Sequence, residues 1–461
     1  MCVAVSMSAQ HENYLNDSMP ASWVFVPGVD GKAISVDDKW WTRFDDEMLD
    51  SLVSAAMRAN YDIRHAARRV TMARAATGIA RSEFYPTVDL YAAAKTKRTS
   101  GRQSGSSGRA DLEGYWELGA DINWQVDLFG KISAKTDAKK KLWQASQAEW
   151  AGVMLTVAGE MVTHYVNLRL FQENLDILHE RSKSQLEIVR FVEGHQVGDG
   201  VSSLQVTQAL TLYYSMLAEV PVVENLVRSE INAIAMLLGI YPDQLFELLQ
   251  ARRKKHWPDY RQLIASGVPS DLLRRRPDIV EAEKVIASYA AALGVAKKEF
   301  LPKLYIQGNI SASARNLGHI LDGQAYGWEI TPTLSWNLFD GYYRKNQEKI
   351  ARETLQEGID NYNITVLSAY QETSNALSSY SSCIKQIDLL VDAVTQARKA
   401  LTQATDNYKI GLCDFQNVTG AQNTLMQQQN ALAQARRNAL VSLVKVYVAL
   451  GGGWDESSIS E

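Results

Sequence analysis

The chain has 461 residues, with 48 lysines and arginines against 52 aspartates and glutamates, a net charge of −4 at neutral pH. That balance lacks the basic excess a nucleic-acid backbone would select, which argues against nucleic acid as a partner. No uncharged apolar run approaches the roughly 18 residues that a membrane-spanning helix needs, and the three cysteines (Cys2, Cys383, Cys413) are odd in number and have no metal-ligand spacing.

The opening MCVAVSMSAQ has neither the basic n-region nor the long apolar h-region of a signal peptide. The setting is therefore the cytoplasm, or a compartment reached by a chain whose signal has been removed. Cys2 is correspondingly either an ordinary thiol or a lipidated cysteine exposed by that removal. Residues 1–45 read as an extended N-terminal segment.

From about residue 46 the chain repeats itself. Residues 62–90, DIRHAARRVTMARAATGIARSEFYPTVDL, align with 278–306, DIVEAEKVIASYAAALGVAKKEFLPKLYI. Trp116 and Trp124 recur as Trp328 and Trp336, and INAIAMLLG (231–239) recurs as LVKVYVALG (443–451). The first copy spans 46–239, an equatorial linker spans 240–277, the second copy spans 278–451, and 452–461 is a tail.

Each copy starts with a helix (about 46–83, then 278–299) that runs into a proline, Pro86 or Pro302, at the start of a strand. Strands are expected at about 88–98 and 115–128, and again at 304–314 and 327–338. The stretch 115–128, YWELGADINWQVDL, has Trp116, Leu118, Ala120, Ile122, Trp124, Val126 and Leu128 at even positions. Its odd positions are mostly polar or charged, so one face of the strand meets oil and the other water. Pro332 lies inside the fourth strand and counts against a regular central position there.

Long helices complete each copy, at about 131–195 and 201–239 and then at 342–409 and 414–450. Some 65 helical residues span on the order of 95 Å. The seam of the longest is written at 3-4 spacing: Val366, Ala369, Thr373, Ala376, Tyr380, Cys383, Ile387, Leu390, Val394, Ala397, Leu401, Ala404, Tyr408. This is coiled-coil packing sustained over several heptads.

Slender helices cannot cover a sheet, so the oil beside the strands is better read as lipid than as protein core. Trp116 and Trp124, like Trp328 and Trp336, lie eight residues apart. That is about 26 Å along a strand, the spacing of the two aromatic girdles of a tilted membrane strand. Four strands are too few to close a barrel with a lumen, and an open sheet in a bilayer leaves edge amides unsatisfied. Several chains must pool their strands, with the polar faces lining a conduit.

The segment LLRRRPDIVEAEKVIASYAAALGVAKKEFLPKL (272–304), together with WQVDLFGK (124–131) and VYVALGGGW (446–454), resembles the TolC-like outer-membrane efflux family in its NodT-type lipoprotein branch. The resemblance implies a mainly α protein with a membrane β-barrel. It implies a homotrimer whose twelve-stranded barrel sits among outer membrane lipids and continues as a long periplasmic α-barrel. The implied activity is passive export of drugs, metals or other small molecules, with a periplasmic adaptor and an inner-membrane pump as partners and no cofactor. It also implies acylation of Cys2.

By the same resemblance, the periplasmic tips are 193–209 and 407–422. Tyr408 and Gly411 match the family's turn, whereas Cys413 stands where some relatives have arginine and Asn417 where some have aspartate. A charged latch is thus in doubt, and Asp414 or Asp199, beside Gly198, is left to supply an acidic ring. Solvated turn residues that touch only the adaptor are an equal reading.

Arg276-Pro277-Asp278 reads as a helix start. Glu117, Asp121, Asp127 and Glu329 are lumen-facing candidates with a mild preference for cations. The seven histidines are scattered, with no HExxH and no GxSxG motif, so nothing points to an enzyme. A type I protein secretion conduit and a soluble coiled-coil scaffold are the alternatives.

Overall fold

The computed structural model describes residues 39–99, 111–195, 203–251 and 275–452. In chain order these form α1 (Glu47–Ala59), α2 (Tyr61–Ser82), β1 (Thr87–Thr99), β2 (Asp111–Val126), α3 (Lys131–His195), α4 (Ser203–Leu238) and α5 (Asp243–Ala251). Then come α6 (Pro277–Lys298), β3 (Lys303–Ala314), β4 (Tyr326–Ser335), α7 (Tyr343–Lys409) and α8 (Phe415–Ala449). No described helix is long and apolar enough to cross a membrane. The chain divides into a helical unit (Met1–Arg68, Gln147–Val280, Asn363–Glu461) and a strand-bearing unit (Arg69–Ser146, Glu281–Tyr362).

In the helical unit the 3-4 seam of α7 is buried as its spacing requires, at Val366, Ala369, Thr373, Ala376, Ile387 and Ala397. Ile387 packs with Ala435 and Ala439 of α8, flanked by Cys383 and Leu390. Thr373, the polar member of the seam, satisfies its hydroxyl on the Ala369 carbonyl at 2.8 Å and approaches the Ala449 carbonyl at 3.3 Å. The main core gathers Leu49, Val53, Met161, Tyr165, Ile231, Ile234 and Leu443. Trp40 closes it, stacked on Tyr447 with ring centroids 5.0 Å apart.

The Arg276-Pro277-Asp278 motif staples the start of α6 to the end of α8. The Arg276 guanidinium grips Asp278 with two hydrogen bonds of 3.0 and 2.9 Å, reaches Glu372 at 2.8 Å, and donates to the terminal Ala449 carbonyl at 2.8 Å. Burial works against its charge, and the Asp278 and Glu372 carboxylates more than restore it. The segment expected as a linker carries α5. That helix buries Leu245 and Leu249, and Arg169 and Gln172 of α3 donate to the Leu249 carbonyl.

The helix expected over 46–83 is two helices. Asn60 breaks it: its side-chain oxygen accepts from the amides of Asp62 and Ile63 at 2.8 and 3.0 Å, a helix-starting cap. The same side chain donates to the Leu237 carbonyl at 2.9 Å, closing the end of α4.

In the strand-bearing unit the four strands form one antiparallel sheet in the order β1-β2-β3-β4. β1 pairs with β2 from Thr87↔Asn123 to Thr99↔Asp111, and β3 with β4 from Lys303↔Ser335 to Ala312↔Tyr326. The Ser313 amide donates to the Ala325 carbonyl at 2.9 Å. Because hydrogen-bonded and non-bonded pairs alternate in an antiparallel ladder, the Ile306↔Pro332 pair is a non-bonded one. The amide that Pro332 lacks therefore belongs to the open edge of β4 and not to the β3–β4 ladder. An edge strand tolerates the proline that a central strand would not.

Strand ends are fastened the same way in both halves of the sheet. The indole N–H of Trp124 donates to the Phe84 carbonyl at 2.9 Å, and that of Trp336 to the Phe300 carbonyl at 3.0 Å. β2 stops at Val126, two residues short of the expected end, because Asp127 turns to cap α3. Its carboxylate accepts from the amides of Ile132 and Ser133 at 2.9 Å each and from the Ser133 hydroxyl at 2.6 Å. Burial opposes ionisation of Asp127, but these bonds and the nearby Lys298 charge outweigh it and hold the carboxyl below the usual range.

Two outcomes are expected. Asn60→Ala removes a cap and orphans a buried carbonyl, and should cost about 2–3 kcal/mol in denaturant unfolding, with Asn60→Asp falling in between. The Asp127 pKa is lower folded than unfolded, so its contribution is complete above the unfolded value and fades as pH falls through the folded one. Asp127→Asn should therefore lose about 1 kcal/mol at pH 7 and show a shallower acid limb below about pH 4. Identical acid limbs would contradict the assignment.

Candidate functional site

The sheet is two-faced. Even-numbered strand positions carry Val88, Leu90, Trp116, Leu118, Ile310, Trp328, Ile330 and Leu334, all exposed. Leu90 is 84% exposed and Trp328 77% exposed, values that no protein core would leave. A contiguous apolar face of this kind marks contact with a membrane or another protein. Both outer strands, β1 and β4, also leave one edge without a partner strand among the described residues. Of the four girdle tryptophans, Trp116 and Trp328 present their rings outward, and Trp328 faces Ile310 across the ladder. Trp124 and Trp336 are also exposed, but their polar N–H groups are spent on main-chain carbonyls, and Trp336 lies just past the end of β4.

Odd-numbered positions form the polar face, and three of the four acidic candidates stand on it. Glu117 forms an ion pair with Lys95 and accepts the Tyr91 hydroxyl at 2.7 Å. Asp121 accepts the Asn309 amide at 2.7 Å, and Asn309 also donates to the Tyr91 hydroxyl at 3.0 Å. Glu329 accepts from the Thr331 hydroxyl at 3.0 Å. Asp127 is a correction: it lies beyond β2, and its carboxylate is committed to the α3 cap, so it does not belong with the other three.

Gly119 makes this network possible. It stands directly opposite Tyr91, and a Cβ there would come within 2.8 Å of the Tyr91 ring and 2.9 Å of the Ile310 carbonyl. Without a side chain at 119, the tyrosine lies flat across β2 and reaches β3. Reading the sequence missed Tyr91, Lys95 and Asn309. The only signal for them was Gly119, one of the two glycines of β2 and the one at mid-strand.

At the far end of α7, Gly411 has φ +75° and caps the helix, its amide donating to the Tyr408 carbonyl and that of Leu412 to the Asn407 carbonyl. Tyr408 packs at 5.3 Å from Phe415 and reaches Gln205 at 3.3 Å. Phe415 and Val418 are buried with Val189, Val192 and Ala209. Burial pushes the Tyr408 hydroxyl pKa up. Asp414 starts α8 without a side-chain cap bond, the Asn417 amide donates to the Asp414 carbonyl at 3.0 Å, and Cys413 donates its thiol to the Ala404 carbonyl. Within the chain this α7–α8 turn packs on Phe415 and Tyr408; Asp414 has no ion-pair partner among the described residues. Cys2, Gly198 and Asp199 lie outside the described residues.

Beside this turn, α3, α4, α7 and α8 line a groove of about 1280 Å³ whose walls include Phe191, Met216, Leu401, Tyr408, Arg398 and Arg436.

Residues 52–240 and 268–452 match the family model described as outer membrane efflux protein. Pyoverdine export outer membrane protein OpmQ of Pseudomonas putida is 27% identical over 443 residues, covering 95% of this chain and 93% of the relative. Nodulation protein T of Rhizobium leguminosarum bv. trifolii is 26% identical over 452 residues, 96% of this chain and 94% of the relative. The solved outer-membrane channel OprN shares the fold at a TM-score of 0.84 and 27% identity, over 95% of this chain and 99% of its own. The family match covers both repeats and most of the chain, and the chain belongs to the outer membrane efflux protein family.

Proposed function

We infer that three copies of this chain pool their sheets into a twelve-stranded barrel and form the passive outer-membrane exit duct of a tripartite efflux pump. The observation that carries this is the uncovered apolar face of a sheet with two edges that lack a partner strand among the described residues. A bilayer covers the face, and only pairing of β4 with β1 of the next copy satisfies the edges. Alternation supports that junction. β4 turns the amides of Tyr326, Trp328, Ile330 and Leu334 outward, and on β1 the same alternation, carried across the ladders, turns those of Val88, Leu90, Ala92 and Ala94 outward. Both sets stand on the apolar face, so the joined barrel keeps one oily exterior and one polar lumen.

A periplasmic adaptor and an inner-membrane pump complete the system, the adaptor seated at the α3–α4–α7–α8 groove and the tip. The Tyr408–Phe415 contact holds each tip in its inward packing, and Cys2 carries the acyl anchor that the branch resemblance implies. The cargo is a class of small molecules, in keeping with the pyoverdine export that names one relative. A soluble scaffold would not leave Leu90 and Trp328 uncovered.

Light scattering of the purified chain in detergent should give a protein mass of three chains, and the same particle should conduct ions across a planar bilayer. A monomer that stays dispersed without detergent and carries no current would contradict the proposal.

A further inference from the structure

Register inside the sheet constrains the register at its edges. The three ladders carry one line of facing residues from Thr87 of β1 through Asn123 of β2 and Gln307 of β3 to Thr331 of β4. Thr87 is the first residue of β1, but Thr331 stands four residues short of Ser335, the last of β4. The stagger is complete within the first repeat. Lys303 follows Pro302 and opens β3 as Thr87 follows Pro86 and opens β1, yet the line from Thr87 meets β3 four residues further on, at Gln307.

We propose that neighbouring copies join in the register that sets Glu329 of β4 directly opposite Lys95 of β1 in the next copy. This rests on the reading that three copies join edge to edge into one barrel. The line of facing residues then crosses each junction and re-enters β1 of the next copy some way beyond its Thr87. That climb per chain is an even number of residues, because the outward amides of both edges are even-numbered and pair with one another. In a twelve-stranded barrel, climbs of four, six and eight residues tilt the strands by about 35°, 46° and 54°. Eight is steeper than the roughly 35–45° that barrels adopt. Four is used up between β1 and β3, leaves the second repeat without stagger, and sets Glu329 against Ala93. Six remains, at the steep end of the usual range. It places Thr331 opposite Ala93 of the next copy, and all of β4 (Tyr326–Ser335) falls within the length of β1 (Thr87–Thr99). Charge agrees with this register, since opposite charges directly across a ladder favour a pairing. Glu329 is exposed and accepts from the Thr331 hydroxyl at 3.0 Å. Lys95, half-exposed on the edge strand, pairs with Glu117 of its own chain, and its ammonium has further donors for a second carboxylate.

The test is disulfide formation between copies, in a background lacking Cys2, Cys383 and Cys413. Odd-numbered pairs at the junction are the non-bonded ones, with Cα atoms about 4.5 Å apart and within disulfide reach, whereas residues two positions off lie about 7–8 Å away and outside it. On oxidation in membranes, Glu329→Cys with Lys95→Cys should link chains covalently about fivefold or more over Glu329→Cys with Ala93→Cys or with Lys97→Cys. Thr331→Cys with Ala93→Cys probes the same register with both charged residues in place, and should link in preference to Thr331→Cys with Tyr91→Cys or with Lys95→Cys. A three-chain particle that links through the neighbouring positions instead overturns the register and leaves the barrel standing. A three-chain particle that links through none of these pairs overturns the β4–β1 junction. An unsubstituted chain that light scattering in detergent shows not to be a trimer overturns the barrel reading, and the inference with it.

Discussion

A backbone amide surrounded by hydrocarbon has no water to bond, and most of this molecule answers to that constraint. Among the described residues four strands produce three ladders and two open edges. The outward amides of the open edges belong to even-numbered residues, among them Val88, Leu90, Trp328 and Ile330, whose side chains are exposed and apolar. Satisfying the edges and covering the face are therefore one problem, and an assembly of several chains in a bilayer solves both. Pro332 removes a donor only from the outer side of β4, so the β3–β4 ladder stays whole and one position of that edge has no N–H to offer.

The ends of the sheet show how a membrane element is joined to long helices. In each half a tryptophan near the end of the second strand of its hairpin gives its indole N–H to the carbonyl that ends the preceding helical stretch. An aspartate then opens the following helix: Asp127 at α3 through amides and a hydroxyl, and Asp340 at α7 through the Arg344 amide and guanidinium. The Arg344 guanidinium beside Asp340 keeps that carboxyl below its usual range. Each junction is thus pinned by directional bonds at the point where the environment of the chain changes.

What the sequence revealed follows period, and what it concealed follows register. The alternation in YWELGADINWQVDL and the 3-4 seam of α7 are read from side-chain spacing, and both appear in the pattern of exposure and burial. The helix break at Asn60 was hidden because asparagine is an ordinary helix-surface residue until its side chain meets the Leu237 carbonyl, 177 positions away. Asp127 was grouped with the polar face because alternation alone cannot say where a strand stops. The Tyr91–Glu117–Asn309 cluster joins three strands, and nothing local marks which residues stand opposite one another. Between α7 and α8, the glycine signal at Gly411 marks a turn that the structure contains, and the contact that packs it is Tyr408 on Phe415, an aromatic that reads as one more apolar residue at the start of a helix.

The central claim is that even-numbered strand positions face lipid and odd-numbered positions face water. It is tested most directly by placing single cysteines along β1 at positions 88–95, in a background lacking Cys2, Cys383 and Cys413, and attaching a fluorophore to each in reconstituted vesicles. The account predicts that labels at 88, 90, 92 and 94 are quenched by a lipid-borne quencher, and labels at 89, 91, 93 and 95 by a water-soluble one. Uniform quenching along the strand, or the opposite alternation, would contradict it.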